Sequence, residues 1–144
     1  MLKLLSVVGL LLMVAALFGL VATRSLFSRS PTIIAVQIAA VALVVWARVT
    51  FGRRSFHAAA NPTEGGLVTT GPYRFMRHPI YTAVCLFAFA GALAHVSLTA
   101  VGLALLVFVG ALGRMLAEER LVAQRYPEYA DYAARTRRMI PFVF

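Results

Sequence analysis

Long apolar runs separated by short polar segments make up most of this chain. The first run covers about residues 2–23 and the second about residues 31–51, with Pro31 at the position where a helix tolerates proline, in its first turn. A helix needs about 20 largely apolar residues to cross a hydrocarbon core of about 30 Å. Each of these two runs therefore predicts one transmembrane helix.

A third apolar stretch, residues 79–113, is too long for one comfortable crossing and short for two. Its only polar break lies at residues 95–97, where Ser97 can cap a following helix. The pattern predicts a tight helical hairpin with spans over about residues 79–94 and 97–114, the first arm being short or tilted. The chain is therefore expected to be all-α and polytopic, with about four transmembrane helices.

Two polar segments flank this hairpin. Residues 52–78 contain Gly-Gly and Gly-Pro pairs, which mark turns and predict a structured loop. Residues 115–144 are amphipathic and predict a C-terminal helical region, which Pro127 is expected to break into two pieces. With the four spans, the loop and tail are expected to form a single membrane domain over residues 1–144.

The composition strengthens the membrane prediction. Hydrophobic residues make up 61% of the chain and charged residues only 13%, with a mean hydropathy of +0.84. A soluble domain is usually about half apolar and about a quarter charged. Most of the surface of this chain must therefore face lipid, and its length leaves room for one unit.

A net charge of +9 is also a feature of nucleic-acid-binding proteins, but its distribution argues against that function. Thirteen of the fourteen basic residues are arginine, and they lie between apolar runs, as the positive-inside rule predicts. With four crossings, only Arg24 and Arg29 lie between the spans on one side. We therefore expect an integral, multi-pass protein of the inner membrane, if bacterial. Both termini, the loop and the tail should lie on the cytoplasmic side.

The first candidate for chemistry is GPYRFMRHPIY, residues 71–81, at the start of the third span. Backbone N–H groups at a helix N-terminus favour an anionic ligand group. Arg77 can clamp a carboxylate or phosphate, and His78 can donate or accept a hydrogen bond at neutral pH. The alternative is that Arg77 anchors the chain at the interface and His78 caps the helix.

The second candidate is the pair Glu118 and Glu119, just past the fourth span. Carboxylates near a membrane need partners or water, and are often functional for that reason. The alternative is that they pair with Arg114 and Arg120 on a solvated helix.

No metal site is predicted. Cys85 is the single cysteine and lies in an apolar run, so the chain has no cysteine cluster. His57, His78 and His95 lack the spacing of metal ligands.

The segment GPYRFMRHPIY and the downstream EERLVAQRYPEYADYAARTRRMIP together resemble the isoprenylcysteine carboxyl methyltransferase and phospholipid methyltransferase superfamily. The resemblance covers about residues 53–141. Its parts follow the superfamily's order: a Leu-Val-Thr-x-Gly-Pro-Tyr lead, Arg-His-Pro-x-Tyr, a hydrophobic hairpin, Glu-Glu, Tyr-x-x-Tyr and a final Arg-x-Ile-Pro. The fewer predicted helices and the unmatched His57 separate this chain from eukaryotic members.

The resemblance implies an integral-membrane enzyme that transfers a methyl group from S-adenosylmethionine, with S-adenosylhomocysteine as the product and no metal. It implies a cytoplasmic cofactor pocket between the last membrane helices, the motif loop and the tail. The residues implied to line that pocket are Val68, Gly71, Tyr73, His78, Pro79, Tyr81, Glu118 and Glu119. Arg77, Glu119 and Arg138 are implied to act in the chemistry, with Arg137 considered beside Arg138 for an anionic group.

Alternatives remain both for the methyl acceptor and for the class of function. The resemblance implies a lipophilic acceptor from the bilayer, with a prenylated thioether carboxylate, a phospholipid amine and a small thiol all open. A small transporter of lipophilic cations is the alternative from another class, but it needs a carboxylate within a membrane helix. A non-catalytic assembly subunit is the third reading. Membrane lipids are the other expected partners, and the oligomeric state stays open.

Overall fold

The computed structural model of the chain describes residues 1–52 and 66–140. Its regular structure over these residues is helical, which confirms the all-α prediction. The helices are α1 Leu2–Ala22, α2 Pro31–Phe51, α3 Pro79–His95, α4 Leu98–Arg125 and α5 Tyr129–Arg135, with a 3₁₀ turn at Gly71–Arg74 before α3. Most of the predicted loop, including His57 and Gly65, lies outside the described residues, as do residues 141–144.

Local sequence accounts for the helix ends. Pro31 and Pro79 each occupy the first turn of a helix, where the missing N–H has no partner to lose. The Ser97 hydroxyl accepts from the Ala100 N–H at 3.5 Å and caps α4. α4 ends at Arg125 because Pro127 disfavours helical backbone at the residue before it.

Three of the described helices, α1, α2 and α4, are long and apolar enough to cross a membrane, by length and composition. α3 is apolar but has 17 residues, so it is about 25 Å long against a hydrocarbon core of about 30 Å. This length agrees with a short or tilted first arm of the hairpin.

α4 is longer than the expected span over residues 97–114. It has 28 residues and continues without a break through Arg114 and the two glutamates to Arg125. At 1.5 Å per residue it is about 42 Å long. Residues 98–113 of α4 carry no charge, and the charged second half extends beyond this apolar part.

The helices pack in two pairs, α1 against α4 and α2 against α3, and α3 also contacts α4. The buried core consists largely of alanines with a few larger side chains, and large apolar side chains of α1 and α2 point outward. Small residues let helix backbones approach closely in a membrane, where lipid surrounds the outer faces.

A close helix contact involves Gly9 of α1 and Gly110 of α4. A Cβ on either glycine would lie 2.6 Å from the carbonyl oxygen of the other. Real Cβ atoms do not approach that closely, so both positions must lack a side chain. This contact brings α1 against the half of α4 that leads to the glutamates.

One buried polar side chain of α2 holds the connection between α1 and α2, at the opposite end of the bundle. The Gln37 amide of α2 donates to the Leu26 carbonyl at 2.7 Å and to the Phe87 carbonyl of α3 at 3.4 Å. A polar group inside an apolar bundle is costly unless it is hydrogen-bonded. Gln37 therefore ties the α1–α2 connection to α3.

Replacing Gly9 with alanine tests the close contact, and Gly102→Ala is the matched control, because nothing lies within 4 Å of a Cβ at Gly102. Both changes add the same helix propensity. Relative to Gly102→Ala, we expect Gly9→Ala to lower the free energy of unfolding by about 1–3 kcal/mol, since α1 and α4 must separate. Thermal melting in detergent, followed by circular dichroism, measures it. Equal stability of the two variants would contradict the contact.

Candidate functional site

Backbone hydrogen bonds join the start of α3 to the C-terminal tail. The Arg77 N–H donates to the Arg137 carbonyl at 2.7 Å, and the His78 N–H donates to the Arg138 carbonyl at 2.9 Å. The Thr82 hydroxyl donates to the Met139 carbonyl at 2.9 Å. The tail therefore packs directly against the first turn of α3.

Helix α5 packs against the 3₁₀ turn. The Tyr132 ring is buried, and its hydroxyl donates to the Tyr73 carbonyl at 2.8 Å. The Tyr73 ring packs in turn against Phe51 at the end of α2, with ring centroids 5.4 Å apart. These contacts join the tail, the motif segment and α2.

Glu119 of α4 is the point at which these segments converge. Its Oε1 accepts from Arg77 Nε at 2.9 Å and lies 3.3 Å from His78 Nε2. Its Oε2 accepts from Arg138 Nε at 3.0 Å. The Glu119 side chain is only 12% exposed, so one nearly buried carboxylate links α4, the start of α3 and the tail.

These contacts determine the charge of Glu119. Burial by itself would raise the pKa of the Glu119 carboxyl, but hydrogen bonds from His78, Arg77 and Arg138 outweigh burial and lower that pKa to about 2. Burial, and then the charge of Glu119, raise the pKa of the adjacent Tyr129 phenol well above its usual range. At neutral pH the site therefore contains an ionised Glu119 beside a neutral Tyr129.

Glu118 occupies a second, more open part of the same cluster. Its Oε1 accepts from the Tyr81 hydroxyl at 2.6 Å and lies 3.3 Å from Arg114 Nε. Its Oε2 lies 3.9 Å from His78 Nδ1, which is beyond hydrogen-bond distance. A quarter of the Glu118 side chain is exposed, so it keeps acceptor capacity toward a ligand.

Each of the two carboxylates has an arginine partner, Arg77 for Glu119 and Arg114 for Glu118. Arg77 is 10% exposed, and its Nη1 also donates to the Ala133 carbonyl at 2.9 Å and to the Thr136 carbonyl at 2.6 Å. Arg114 is buried and also donates to the Tyr81 hydroxyl and to the Ser6 carbonyl of α1. Arg77 therefore spans from Glu119 to the tail backbone instead of lying at the surface.

The His78 backbone caps α3, but its side chain makes no capping hydrogen bond and faces the two glutamates. Of the residues implied by the superfamily resemblance, the structure brings six into one cluster: Arg77, His78, Tyr81, Glu118, Glu119 and Arg138. Pro79 is buried in the first turn of α3.

Two other implied residues, Gly71 and Tyr73, lie against the end of α2. Gly71 has φ +57°, and a Cβ there would overlap the Thr50 side chain, so the position requires glycine. Tyr73 is buried in the same region, and Val68 is half-buried in the irregular segment before it.

Sequence reasoning missed the residues through which the tail packs against the motif: Thr82, Tyr129, Tyr132 and Thr136. Their roles depend on tertiary contacts between segments far apart in the chain. The available signal was the Tyr-x-x-Tyr spacing, which places Tyr129 and Tyr132 on one face of a helix.

The comparisons with known proteins decide the family. A protein-family model described as phospholipid methyltransferase matches residues 29–129, which is more than half of the chain. The chain belongs to the phospholipid methyltransferase family. This finding confirms the superfamily predicted from the motifs. The matched range contains His78, Glu118 and Glu119, whereas Arg138 lies outside it.

Two curated relatives are similar to part of this chain. It is 37% identical over 78 residues to the nickel-cobalt-cadmium resistance protein NccN of Alcaligenes xylosoxydans xylosoxydans. It is 40% identical over 78 residues to the cobalt-zinc-cadmium resistance protein CzcN of Cupriavidus metallidurans. Each match covers 52% of this chain but only 36% and 35% of those proteins, respectively. No solved structure matches the chain.

The pH dependence of stability tests the Glu119 cluster. The folded state lowers the pKa of Glu119 from 4.5 to about 2. The ionised carboxylate therefore stabilises the fold at pH values above 4.5, and this stabilisation is lost as the pH falls from 4.5 toward 2. We expect the free energy of unfolding to decrease by about 2–3 kcal/mol over that range because of this group, and the melting temperature in detergent to fall with it. Glu119→Gln should flatten the dependence.

Glu128→Gln is the control for this experiment, because Glu128 is an exposed glutamate at the start of α5. It should keep the dependence of the unsubstituted chain. A Glu119→Gln profile as steep as that of Glu128→Gln would contradict the assigned network.

Proposed function

We propose that this chain transfers a methyl group from S-adenosylmethionine to a lipophilic acceptor that reaches the site from the bilayer. One observation carries the proposal: Glu118 and Glu119 contact Arg77, His78 and Arg138 next to the start of α3, just past the apolar part of α4. Membership in the phospholipid methyltransferase family supports methyl transfer as the general chemistry.

The side chains present fit the polar groups of S-adenosylmethionine. The cofactor carries an ammonium group and ribose hydroxyls, which need acceptors, and a carboxylate, which needs a cationic donor. Glu118 has one oxygen beyond hydrogen-bond distance of His78 and is a quarter exposed. The Arg138 side chain is 35% exposed. Glu118 can therefore accept from the cofactor, and Arg138 can meet its carboxylate.

Glu119 and Arg77 are proposed as positioning residues in this site. Both are nearly buried and pair with each other. Glu119 also accepts from Arg138 of the tail, and Arg77 also donates to the Thr136 carbonyl. Their contacts keep Glu118, His78 and Arg138 together beside the nearly buried Arg77–Glu119 ion pair. S-adenosylmethionine supplies, when bound, an activated methyl group on its sulfonium. The chain contributes alignment and exclusion of water.

The acceptor's chemistry determines whether a base is needed. An isoprenylcysteine-type carboxylate is ionised at neutral pH and needs none, and it is the acceptor that we favour. A phospholipid amine must lose a proton before it attacks, and Glu118 is placed to receive one. A small thiol is the third acceptor class.

The names of the two relatives refer to metal resistance, and both proteins are much longer than the matched stretch. Within residues 1–52 and 66–140, no group of three or more His, Cys, Asp and Glu side chains could hold a metal ion. We therefore propose methyl transfer and not metal binding for the cluster. A transporter has no supporting observation, since α1, α2 and α3 contain no acidic residue.

A transfer assay tests the function. The full chain in detergent is given S-adenosylmethionine labelled in its methyl group, with a farnesylated cysteine, phosphatidylethanolamine or an alkyl thiol as acceptor. We expect label in one acceptor. His78→Ala and Glu118→Gln should each lower the rate at least about tenfold, which is about 1.4 kcal/mol, because the first removes the imidazole and the second removes the carboxylate charge from the cofactor site.

The controls are His95→Ala and Glu128→Gln, which replace the same residue types outside the cluster and should stay within about twofold of the unsubstituted rate. Rates that do not separate the two sets of folded variants would refute the site. Failure to label any of the three acceptors would refute the proposed acceptor range.

A further inference from the structure

A second group of arginines lies apart from the glutamate cluster. Arg74 of the 3₁₀ turn, Arg135 of α5 and Arg137 of the tail line one cleft of about 190 Å³, together with Phe75 and Ala134. The three arginines come from separate elements that the tail packing brings together. The described lining of this cleft contains no acidic residue.

The backbone of the tail separates this cleft from the candidate methyl-transfer site. Thr136 has extended backbone, and successive side chains of an extended segment point to opposite faces. Arg138 contacts Glu119 on one face, whereas its neighbour Arg137 lines the cleft. The Arg137 N–H also donates to the Phe75 carbonyl at 3.5 Å, which holds this face against the segment before α3. The resemblance made Arg137 and Arg138 equal candidates for binding an anionic group, but the two side chains have different surroundings in the structure.

The charges of the cleft arginines are not neutralised within the described part of the chain. Arg74 lies over the Phe75 ring, 5.7 Å from its centroid, and Arg135 Nε donates to the backbone carbonyl of Asp131 at 3.2 Å. Neither contact is with a carboxylate. By contrast, the arginines of the glutamate cluster form ion pairs with Glu118 or Glu119. Three guanidinium groups around one cleft repel each other, and an anion between them would relieve that repulsion.

The exposed apolar side chains around the cleft are those expected at a membrane surface. Phe75 is 45% exposed, and Ile140, three residues after Arg137, is 53% exposed. The apolar run of α3 begins at Pro79, only four residues after Phe75. Exposed apolar side chains beside arginines, next to the start of an apolar helix, are typical of a surface at the headgroup level.

We propose that this cleft binds the phosphate group of an anionic phospholipid. Guanidinium groups bind phosphate oxygens with paired, charge-assisted hydrogen bonds, and basic side chains next to a membrane helix attract anionic lipids. The bound headgroup joins the 3₁₀ turn to α5 and the tail, and so helps to hold the tail against α3. The proposal does not depend on the methyl-transfer function, because the cleft shares no side chain with the glutamate cluster.

Lipid binding to the full chain in an uncharged detergent, measured by native mass spectrometry, tests the proposal. The probes are phosphatidylglycerol, phosphatidylcholine and inorganic phosphate. We expect phosphatidylglycerol to bind at least about tenfold more tightly than either of the others, since it combines a net negative charge with lipid anchoring. The double variant Arg135→Gln/Arg137→Gln should weaken that binding at least about tenfold.

The matched control is Arg120→Gln/Arg125→Gln, which removes the same charge from exposed positions of α4 and should weaken binding by less than about twofold. An equal loss in both double variants would overturn the proposal, because net charge would then suffice. Equal binding of phosphatidylcholine, or inorganic phosphate binding as tightly as phosphatidylglycerol, would also overturn it. If the double variant does not purify folded, Arg137→Gln alone should weaken binding at least about threefold, and an unchanged affinity would refute the site.

Discussion

The packing of α3, the second half of α4 and the tail depends on the hydrogen bonds and ion pairs of one carboxylate, that of Glu119. It lies on α4, and its partners come from the start of α3 and from the tail. A nearly buried carboxylate is costly unless charged and hydrogen-bonding groups surround it, and removing one partner of such a group leaves the others unsatisfied. The packing of α3, α4 and the tail is therefore coupled through one side chain. Arg77 extends this coupling to the end of α5 through the Ala133 and Thr136 carbonyls.

The membrane bundle makes this arrangement possible through two features of α4. Its contact with α1 at Gly9 and Gly110 brings the two backbones together, and the helix then continues past its apolar part. Residues 114–125 are mostly good helix formers, so nothing ends the helix before Pro127. The two glutamates are consequently carried on a rigid extension of a membrane helix, next to the first turn of the shorter α3. A site built on helix ends is held more firmly than one built on loops alone.

The sequence predicted the parts of the structure that depend on local patterns. Apolar length located α1 and α2, Pro79 marked the start of α3, and the i, i+4 spacing of Arg114 and Glu118 indicated their ion pair. Contacts between distant segments could not be predicted in this way. Arg77 and Glu119 are 42 positions apart, and their contact requires the hairpin and the tail together.

The directions of the side chains in the tail also could not be predicted from the sequence. An amphipathic region predicted over residues 115–144 does not say which of two adjacent arginines faces a glutamate. The structure ends α5 at Arg135 and gives Thr136 extended backbone, which points Arg137 and Arg138 in opposite directions. The motif resemblance grouped Val68, Gly71 and Tyr73 with His78, and of these Gly71 and Tyr73 pack at the end of α2. Their role in cofactor binding stays a proposal.

The central claim is that S-adenosylmethionine binds at the junction of α3, α4 and the tail. The most direct measurement is a calorimetric titration of the detergent-purified chain with S-adenosylhomocysteine, which has the polar groups of S-adenosylmethionine but no methyl group to transfer. We expect saturable binding that Glu118→Gln weakens at least about tenfold and Glu128→Gln leaves unchanged. No binding by the folded chain, or equal binding by both variants, would contradict the claim.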